Sequence, residues 1–322
     1  MSGPAALTPP RSRRPLLLAI AVLWAIVGAL LAVSLSLTGG QVTLALDDAY
    51  IHLAMAKNFA LHGVWGVTRH AFSSASSSPL WTLTMATLFK LLGPHPVLAL
   101  VVNLILGTVL VVAVDRFLAV RHPDVSDRWR AGAALAVALV TPVPTMVLIG
   151  MEHTAAALFT IVFAHLVASE LALADPRRTV APATLLSGAL VTTIRYEGLF
   201  LVAAACLLYA LRRRVRGAVL LAATALAPLV AYGAVSAAAS WDWLPATVLL
   251  KGKRPAILDD SGQVSAPRIA TTWLRTVATT TRRLVEALGY SSYSSIVGQP
   301  PLLALVAIAL VAWFARASRG PW

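Results

Sequence analysis

Charged residues are scarce in this chain. Only 12% of its 322 residues are Asp, Glu, Lys or Arg, whereas 58% are hydrophobic, and the mean hydropathy is +0.79. Water-soluble globular domains carry about 25% charged residues, so the composition excludes that class and indicates a polytopic membrane protein. Cysteine is scarcer still. Cys206 is the only one in the sequence, so no intrachain disulfide can form.

Acidic residues are few as well, 13 against 26 Lys and Arg, which gives a net charge of +13 at neutral pH. A positive balance of this size can indicate a nucleic-acid partner. Here, however, the basic residues stand in short clusters between apolar segments, which is the pattern of membrane orientation signals and lipid contacts. We therefore expect membrane lipids, and no nucleic acid, among the partners.

Apolar segments recur along the chain and predict about eight membrane spans. They lie at 15–37, 96–115, 131–149, 154–174, 180–194, 198–211, 217–239 and 301–315. A shorter apolar segment at 80–92 predicts an interfacial or re-entrant helix instead. If the N-terminus is cytoplasmic, all the short Arg-rich loops then fall inside, as the positive-inside rule requires. The predicted fold is an all-α polytopic transmembrane bundle, a single domain over 1–322 in the cell membrane.

This orientation places the unusual polar segments on the extracytoplasmic side. The first outer loop, 38–95, carries juxtamembrane helices at 49–61 and 80–92, and the outer loop 240–299 carries an amphipathic helix at 268–288. Four turns with acidic or mixed polar residues share this face, at 47–48, 150–154, 195–198 and 241–251. Because the apolar runs beside 195–197 are shorter than the ~20 residues of a span, an outward-opening polar cavity is expected.

Several of these strings resemble motifs of the C-type (GT-C) integral membrane glycosyltransferases. They are LDDAYI at 46–51 with AKN at 56–58, SPLW at 78–81, GMEHT at 150–154, RYEGL at 195–199, and LPAT at 244–247 followed by Lys251. Three positions, Ala54, Tyr196 and Ala246, depart from the residues common in that superfamily. The resemblance is closest in kind to arabinofuranosyl- and mannosyltransferases. It implies transfer of a hexose or pentose from a polyprenyl-phosphate donor to a glycan, lipid or protein of the cell envelope.

Under this resemblance, Asp47 and Asp48 are the candidate catalytic residues. Neighbouring side chains on a helix point about 100° apart, so the two carboxylates cannot serve the same hydroxyl. We expect Asp47 to be the base of an inverting displacement and Asp48 to be a structural or metal-orienting partner, although the reverse order stays open. The alternative without chemistry is a pair of acidic residues that stabilises the start of a helix.

Six further residues are candidates for substrate binding: Glu152, His153, Arg195, Glu197, Lys251 and Trp81. Arg195 and Lys251 would clamp the departing phosphate. Alternatively, Arg195 forms an ion pair with Glu197 or Glu152, and Lys251 is a solvated loop charge. Glu152 either binds the sugar or a metal, or caps the helix that follows.

No cofactor is assigned, but a divalent metal ion is left open. His52 follows Asp48 by four residues, so one helical face could present both to such an ion, and these two are the candidate ligands. A transporter or flippase of a lipid-linked saccharide is the alternative function. It would favour ionisable residues near the membrane midplane and repeat symmetry. The crowding of polar residues on one face favours the enzyme.

Overall fold

The computed structural model describes residues 13–173, 179–246 and 249. Lys251, the expected amphipathic helix at 268–288 and the expected span at 301–315 lie outside the described residues, and so does most of the outer loop 240–299. The single-domain boundaries over 1–322 therefore stay a prediction.

Within the described ranges the secondary structure is entirely helical, which confirms the all-α prediction for this part of the chain. Ten helices follow one another: α1 (Arg14–Leu37), α2 (Asp47–His62), α3 (Pro79–Leu92), α4 (Val97–Arg121), α5 (Asp127–Val140), α6 (Val143–Ile149), α7 (His153–Leu171), α8 (Pro182–Ile194), α9 (Gly198–Leu211) and α10 (Val215–Ala238).

Four of these helices are long and apolar enough to cross a membrane, namely α1, α4, α7 and α10, and the bent pair α5–α6 would make a fifth span. This is the architecture expected of a membrane protein, but the predicted count of about eight spans is not confirmed. The segments expected at 180–194 and 198–211 form α8 and α9, with only 13 and 14 residues. At ~1.5 Å per residue, each is roughly 20 Å long, well short of a ~30 Å hydrocarbon core.

The break between α5 and α6 lies at two prolines, Pro142 and Pro144. α5 ends at Val140, α6 begins at Val143, and the two axes differ by 46°. Pro142 has no N–H to donate to the preceding turn, which favours a break in the helix at this position. α6 then ends at Gly150, whose φ of +73° is the left-handed conformation that glycine adopts most readily.

α2 and α3 agree with the two helices expected in the first outer loop. α2 begins at Asp47, two residues before the expected start, and ends at Gly63, whose φ is +68°. Both carboxylates thus lie in the first turn of α2, where the helix dipole favours negative charge. The amide of Asn58 donates to the carbonyls of Gly66 and Val67 at 3.0 and 2.9 Å. These bonds hold the chain as it leaves α2 towards α3.

The apolar core consists of three buried clusters. One joins α2 and α3 to the starts of α4 and α7, and includes Trp81 and Met151. The second joins α1 to α4, α5, α6 and α7, and the third joins α7 to α8, α9 and α10. α7 contributes to all three clusters, so it is the central helix of the described bundle.

Polar clusters occupy the two ends of α7. Glu152 and Glu170 stand at opposite ends of this helix, roughly 27 Å apart at ~1.5 Å per residue. Glu170 accepts hydrogen bonds from the Tyr209 hydroxyl at 2.8 Å and the Ala181 N–H at 3.1 Å, and its carbonyl accepts from Arg214. The spacing of the two clusters is close to the thickness of a bilayer hydrocarbon core.

Arginines gather at the Glu170 end, which we call the basic end. Arg121 at the close of α4 donates to Ser169 at 3.4 Å, and Arg214 before α10 donates to the Glu170 carbonyl at 3.0 Å. Arg130 of α5 lies 3.5 Å from Asp115 of α4. These contacts place the ends of α4, α7 and α9 and the starts of α5 and α10 together, on the side opposite to Glu152.

Gly150 provides a test of the packing at the other end of α7. A methyl group at this position would lie 2.7 Å from Leu44 Cδ2, and the φ of +73° disfavours any L side chain. Gly150→Ala is therefore expected to destabilise the protein by about 2 kcal/mol, measured as thermal unfolding in detergent. Gly28→Ala is the control, because a methyl group there meets nothing within 4 Å. Equal stability of the two variants would contradict this account of the turn.

Candidate functional site

Glu152 is the centre of the candidate site. It occupies the N-cap position of α7 and is only 1% exposed. Its side chain forms no cap with its own helix. Instead, Oε1 accepts a hydrogen bond from Arg195 Nη1 at 3.1 Å. Glu152 thus stands at the capping position of α7 without a side-chain cap, and the alternative in which Arg195 forms an ion pair with Glu152 is confirmed. A buried carboxylate needs such a partner, because removing it from water alone is costly.

Arg195 joins Glu152 to two further candidate residues. It ends α8 in an extended backbone conformation, which directs the chain into the short turn before α9. Its Nη2 and Nε donate to the two carboxylate oxygens of Glu197, at 2.7 and 3.3 Å. Its Nη1 also lies 2.8 Å from His153 Nδ1, and since a guanidinium only donates, Nδ1 is the acceptor in this contact.

The charges in this turn stabilise one another. The hydrogen bond from Arg195 holds the pKa of Glu197 below its ordinary value, against the opposing effect of partial burial. Burial works to lower the pKa of Arg195, but the hydrogen bond with Glu197 and the charges of Glu152 and Glu197 raise it overall. One guanidinium thus serves two carboxylates. Of these Glu152 has a buried side chain, whereas the side chain of Glu197 is 64% exposed.

His52 extends this arrangement to α2 and α3. Its Nε2 lies 3.9 Å from Glu152 Oε2. Its Nδ1 lies 3.1 Å from Ser76 Oγ and 3.2 Å from Thr82 Oγ1, and the two hydroxyls are 2.8 Å apart. His52, Ser76 and Thr82 are all buried. We refer to these three residues together with Glu152, His153, Arg195 and Glu197 as the polar network.

Asp47 and Asp48 lie at the start of the helix that carries His52, but they face different ways. Asp48 precedes His52 by one helical turn, so it shares the face of α2 directed to the polar network, and it is half-buried. Asp47 is exposed, and its Oδ1 accepts the Asp48 N–H at 2.9 Å. The structure therefore separates the two carboxylates in the way that helix geometry predicts.

The start of α2 is held beside the turn that carries Glu152. Leu44, just before α2, packs against Gly150, and its N–H donates to the Tyr50 hydroxyl at 2.9 Å. Leu44 and Met151 belong to the same apolar cluster. These contacts bring Asp47 and Asp48 to the same end of the bundle as Glu152 and Arg195.

The remaining candidates are placed differently. Trp81 is only 1% exposed and packs in the cluster with Met85, Met151 and Ile194, so it lies behind the polar network rather than on an open surface. Lys251 lies outside the described residues. Across the ranges the structure describes, no group of three or more His, Cys, Asp or Glu side chains is close enough to hold a metal ion. Asp48 and His52 therefore gather no third ligand of these types within those ranges.

Sequence reasoning missed the role of the serine-rich segment 73–78. Ser74, Ser76 and Ser78 are fully buried, whereas the residues between them are half-buried. Alternation with a period of two is typical of an extended segment with one buried side. The sequence carries no such alternation, because serine stands at buried and half-buried positions alike. The bond between Ser76 and His52 was not foreseeable from it.

The same segment receives the chain that follows α10. The Ala246 N–H donates to the Ser74 carbonyl at 2.7 Å, and the Tyr232 hydroxyl lies 3.2 Å from Ser74 Oγ. Trp65 donates its indole N–H to the same Tyr232 hydroxyl at 3.2 Å. The fourth of the polar turns expected from the sequence therefore contacts the serine segment at Ser74, two residues before Ser76, which contacts His52.

An apolar cavity of about 650 Å³ lies next to these residues. It runs between the end of α2, the start of α3 and the second half of α10, and its walls include Phe59, Trp65, Phe72, Leu83, Tyr232 and Val235. The cavity is large enough for a substantial apolar group.

Compared with known proteins, the chain matches no family model, no curated protein and no solved structure. The function is therefore argued from the residues and their geometry.

The Glu152–Arg195 pair makes a prediction about stability. Arg195→Gln leaves the buried Glu152 carboxylate without its guanidinium, so it is expected to destabilise the protein by about 3 kcal/mol or more. Glu197→Gln removes only an exposed partner and should cost about 1 kcal/mol or less. The measurement is thermal unfolding in detergent, followed by tryptophan fluorescence.

A double variant separates lost pairing from lost packing. Glu152→Gln combined with Arg195→Gln removes both charges, so it should recover part of the stability lost in Arg195→Gln alone. If the two single variants at Arg195 and Glu197 were equally stable, the buried pair would not be the stabilising contact.

Proposed function

We propose that this protein is a membrane glycosyltransferase. It transfers a sugar from a polyprenyl-phosphate donor to an acceptor of the cell envelope, on the extracytoplasmic side. The observation that carries the proposal is the contact of Arg195 with Glu152, together with the approach of His52 to Glu152. Through these contacts, two of the strings that resemble the GT-C superfamily, at 150–154 and 195–199, meet the helix that begins in a third, at 46–51, although all three are far apart in the sequence.

The reaction needs a base for the acceptor hydroxyl. We assign this role to Asp47, the exposed carboxylate, because it can be reached by an acceptor that arrives from solvent. As the acceptor oxygen attacks the anomeric carbon, its proton passes to Asp47, and the bond from that carbon to the phosphate oxygen breaks. Asp48 faces the polar network and orients the start of α2.

The departing phosphate needs a cation. Arg195 is the candidate in the described part of the chain, and it already holds two carboxylates. A phosphate would take the place of Glu197, the exposed partner, while the buried Glu152 keeps the guanidinium in position. A guanidinium suits this exchange, since its planar fork matches carboxylate and phosphate alike. Lys251 would supply a second cation from outside the described residues.

The apolar cavity lined by Phe59, Trp65 and Tyr232 supports a lipid-linked donor. Tyr232 bonds to Ser74, and Ser76, two residues on, contacts His52, so the cavity lies near the polar network. A donor with a charged phosphate and a hydrocarbon chain needs a cation and an apolar surface side by side. This part of the chain offers both.

Enzyme assays with the purified full chain test the proposed function. The protein is incubated with a panel of radiolabelled polyprenyl-phosphate sugars and membrane extract, and transfer of the label is measured. Asp47→Asn should lower the rate by about 100-fold or more, which is the scale of general-base catalysis. Asp124→Asn, an exposed acidic residue between α4 and α5, is the matched control and should keep its rate.

Asp48→Asn distinguishes the two assignments of the base. A loss as large as that of Asp47→Asn is not expected if Asp48 only orients the helix. If both variants retain full transfer, the proposed base is wrong. If the protein moves a lipid-linked saccharide across vesicles without transferring the sugar, it is a flippase instead.

The proposed sidedness rests on the distribution of charge. The arginines of the basic end lie opposite to the polar network, so the positive-inside rule puts the network outside. In a Cys206→Ala background, Thr68→Cys should react with a membrane-impermeant maleimide on intact cells. Arg216→Cys should react only after permeabilisation. The opposite labelling pattern would place the polar network in the cytoplasm.

A further inference from the structure

A second cavity lies at the basic end, far from the polar network. It is a groove of about 400 Å³ between α1 and α5. Its walls are apolar except for two arginines, Arg14 in the first turn of α1 and Arg128 in the first turn of α5. Leu18, Val22, Gly132 and Leu135 line the part that runs along the two helices.

Arg14 and Arg128 give the groove a positive charge that favours binding of an anion. Both are exposed, and neither guanidinium has a carboxylate within 4.0 Å among the described residues. Each stands at a helix N-terminus, where the dipole disfavours positive charge. Because both arginines line the same groove, an anion in it can be reached by guanidinium donors, which match the geometry of a phosphate group.

The rest of the groove is apolar, and its shape suits a hydrocarbon chain. From Arg14 to Val22 and from Arg128 to Leu135, it extends for about 10 Å along each helix. It opens on an apolar surface, since Leu18 is 66% exposed and its neighbour Leu17 is 61% exposed. On a helix long and apolar enough to span a membrane, such residues face lipid.

We infer that this groove binds an anionic phospholipid, with the phosphate between Arg14 and Arg128 and one acyl chain along Leu18, Val22 and Leu135. The arginines stand at the basic end, where headgroups of the corresponding leaflet lie. The chain extends from there towards the middle of α1. The site is separate from the polar network and does not depend on the proposed glycosyl transfer.

Gly132 makes the acyl part of the groove testable by itself. A methyl group at Gly132 meets nothing within 4 Å, so a larger side chain can enter the groove without a clash. Gly132→Leu is therefore expected to occupy the space of the acyl chain while the fold is kept. Gly28→Leu is the matched control, because Gly28 also stands in an open helical position but does not line the groove.

The charged part is tested with Arg14→Gln/Arg128→Gln. The matched control is Arg116→Gln/Arg216→Gln, which removes the same charge from two exposed arginines outside the groove. The full chain is delipidated in detergent and titrated with phosphatidylglycerol, phosphatidylcholine or glycerol phosphate. Bound lipid is counted by native mass spectrometry, and thermal stability is measured in parallel.

Phosphatidylglycerol should bind about tenfold more tightly than phosphatidylcholine, since only its headgroup has a net negative charge for the two arginines to attract. The Arg14→Gln/Arg128→Gln variant should lose this difference, and Gly132→Leu should weaken the binding of both lipids. The two controls should stay within about twofold of the natural chain.

Three results would overturn the inference. The first is equal binding of both lipids by the natural chain. The second is that Arg116→Gln/Arg216→Gln loses as much of the preference for phosphatidylglycerol as Arg14→Gln/Arg128→Gln does. The third is stabilisation by glycerol phosphate equal to that by phosphatidylglycerol, which would mean a phosphate site with no role for the acyl chain.

Discussion

The candidate site depends on one contact, the ion pair between Glu152 and Arg195. Glu152 is almost completely buried at the start of α7, where a carboxylate without a partner would be too costly to keep ionised. The contact draws the short turn between α8 and α9 onto the turn between α6 and α7. Since Arg195 also holds Glu197 and His153, a single guanidinium organises both turns. His52 lies beside the same carboxylate, and it brings α2 and α3 to this position.

The arrangement of polar residues follows the constraint that a bilayer imposes on α7. Its middle contributes to three apolar clusters, and its two ends carry the buried carboxylates Glu152 and Glu170. The two ends differ in what surrounds them. Glu170 is enclosed by hydroxyl and backbone donors and by the arginines of the basic end, which suits a structural role. Glu152 is joined through Arg195 to an exposed carboxylate, so this end stays accessible to a ligand.

Much of the helical framework could be predicted from the sequence, because the signals were local. Gly63 and Pro142 mark the ends of helices through their own backbone chemistry, and α2 and α3 begin within two residues of the expected positions. The ion-pair partners of Arg195, Glu152 and Glu197, could also be predicted, because the sequence contains few acidic residues that could pair with it. The burial of Trp81 and the contacts of His52 with Ser76 and Thr82 could not be predicted. Both features depend on how α2 and α3 pack against each other, and a local sequence pattern does not predict that packing. The predicted count of about eight spans is not confirmed, because α8 and α9 are shorter than a span and the segment expected at 301–315 lies outside the described residues.

The difference in exposure between Asp47 and Asp48 follows from the period of the helix. With about 100° per residue, Asp48 lies about 40° from His52 around the axis of α2, and Asp47 about 140° away. Once His52 is directed to Glu152, Asp48 must share the buried side and Asp47 must face solvent, as the structure has them. The rotation of α2 is in turn set by the contacts of His52 with Ser76, Thr82 and Glu152. The polar network therefore does more than bring distant turns together, because it also decides which of the two neighbouring carboxylates is exposed to solvent.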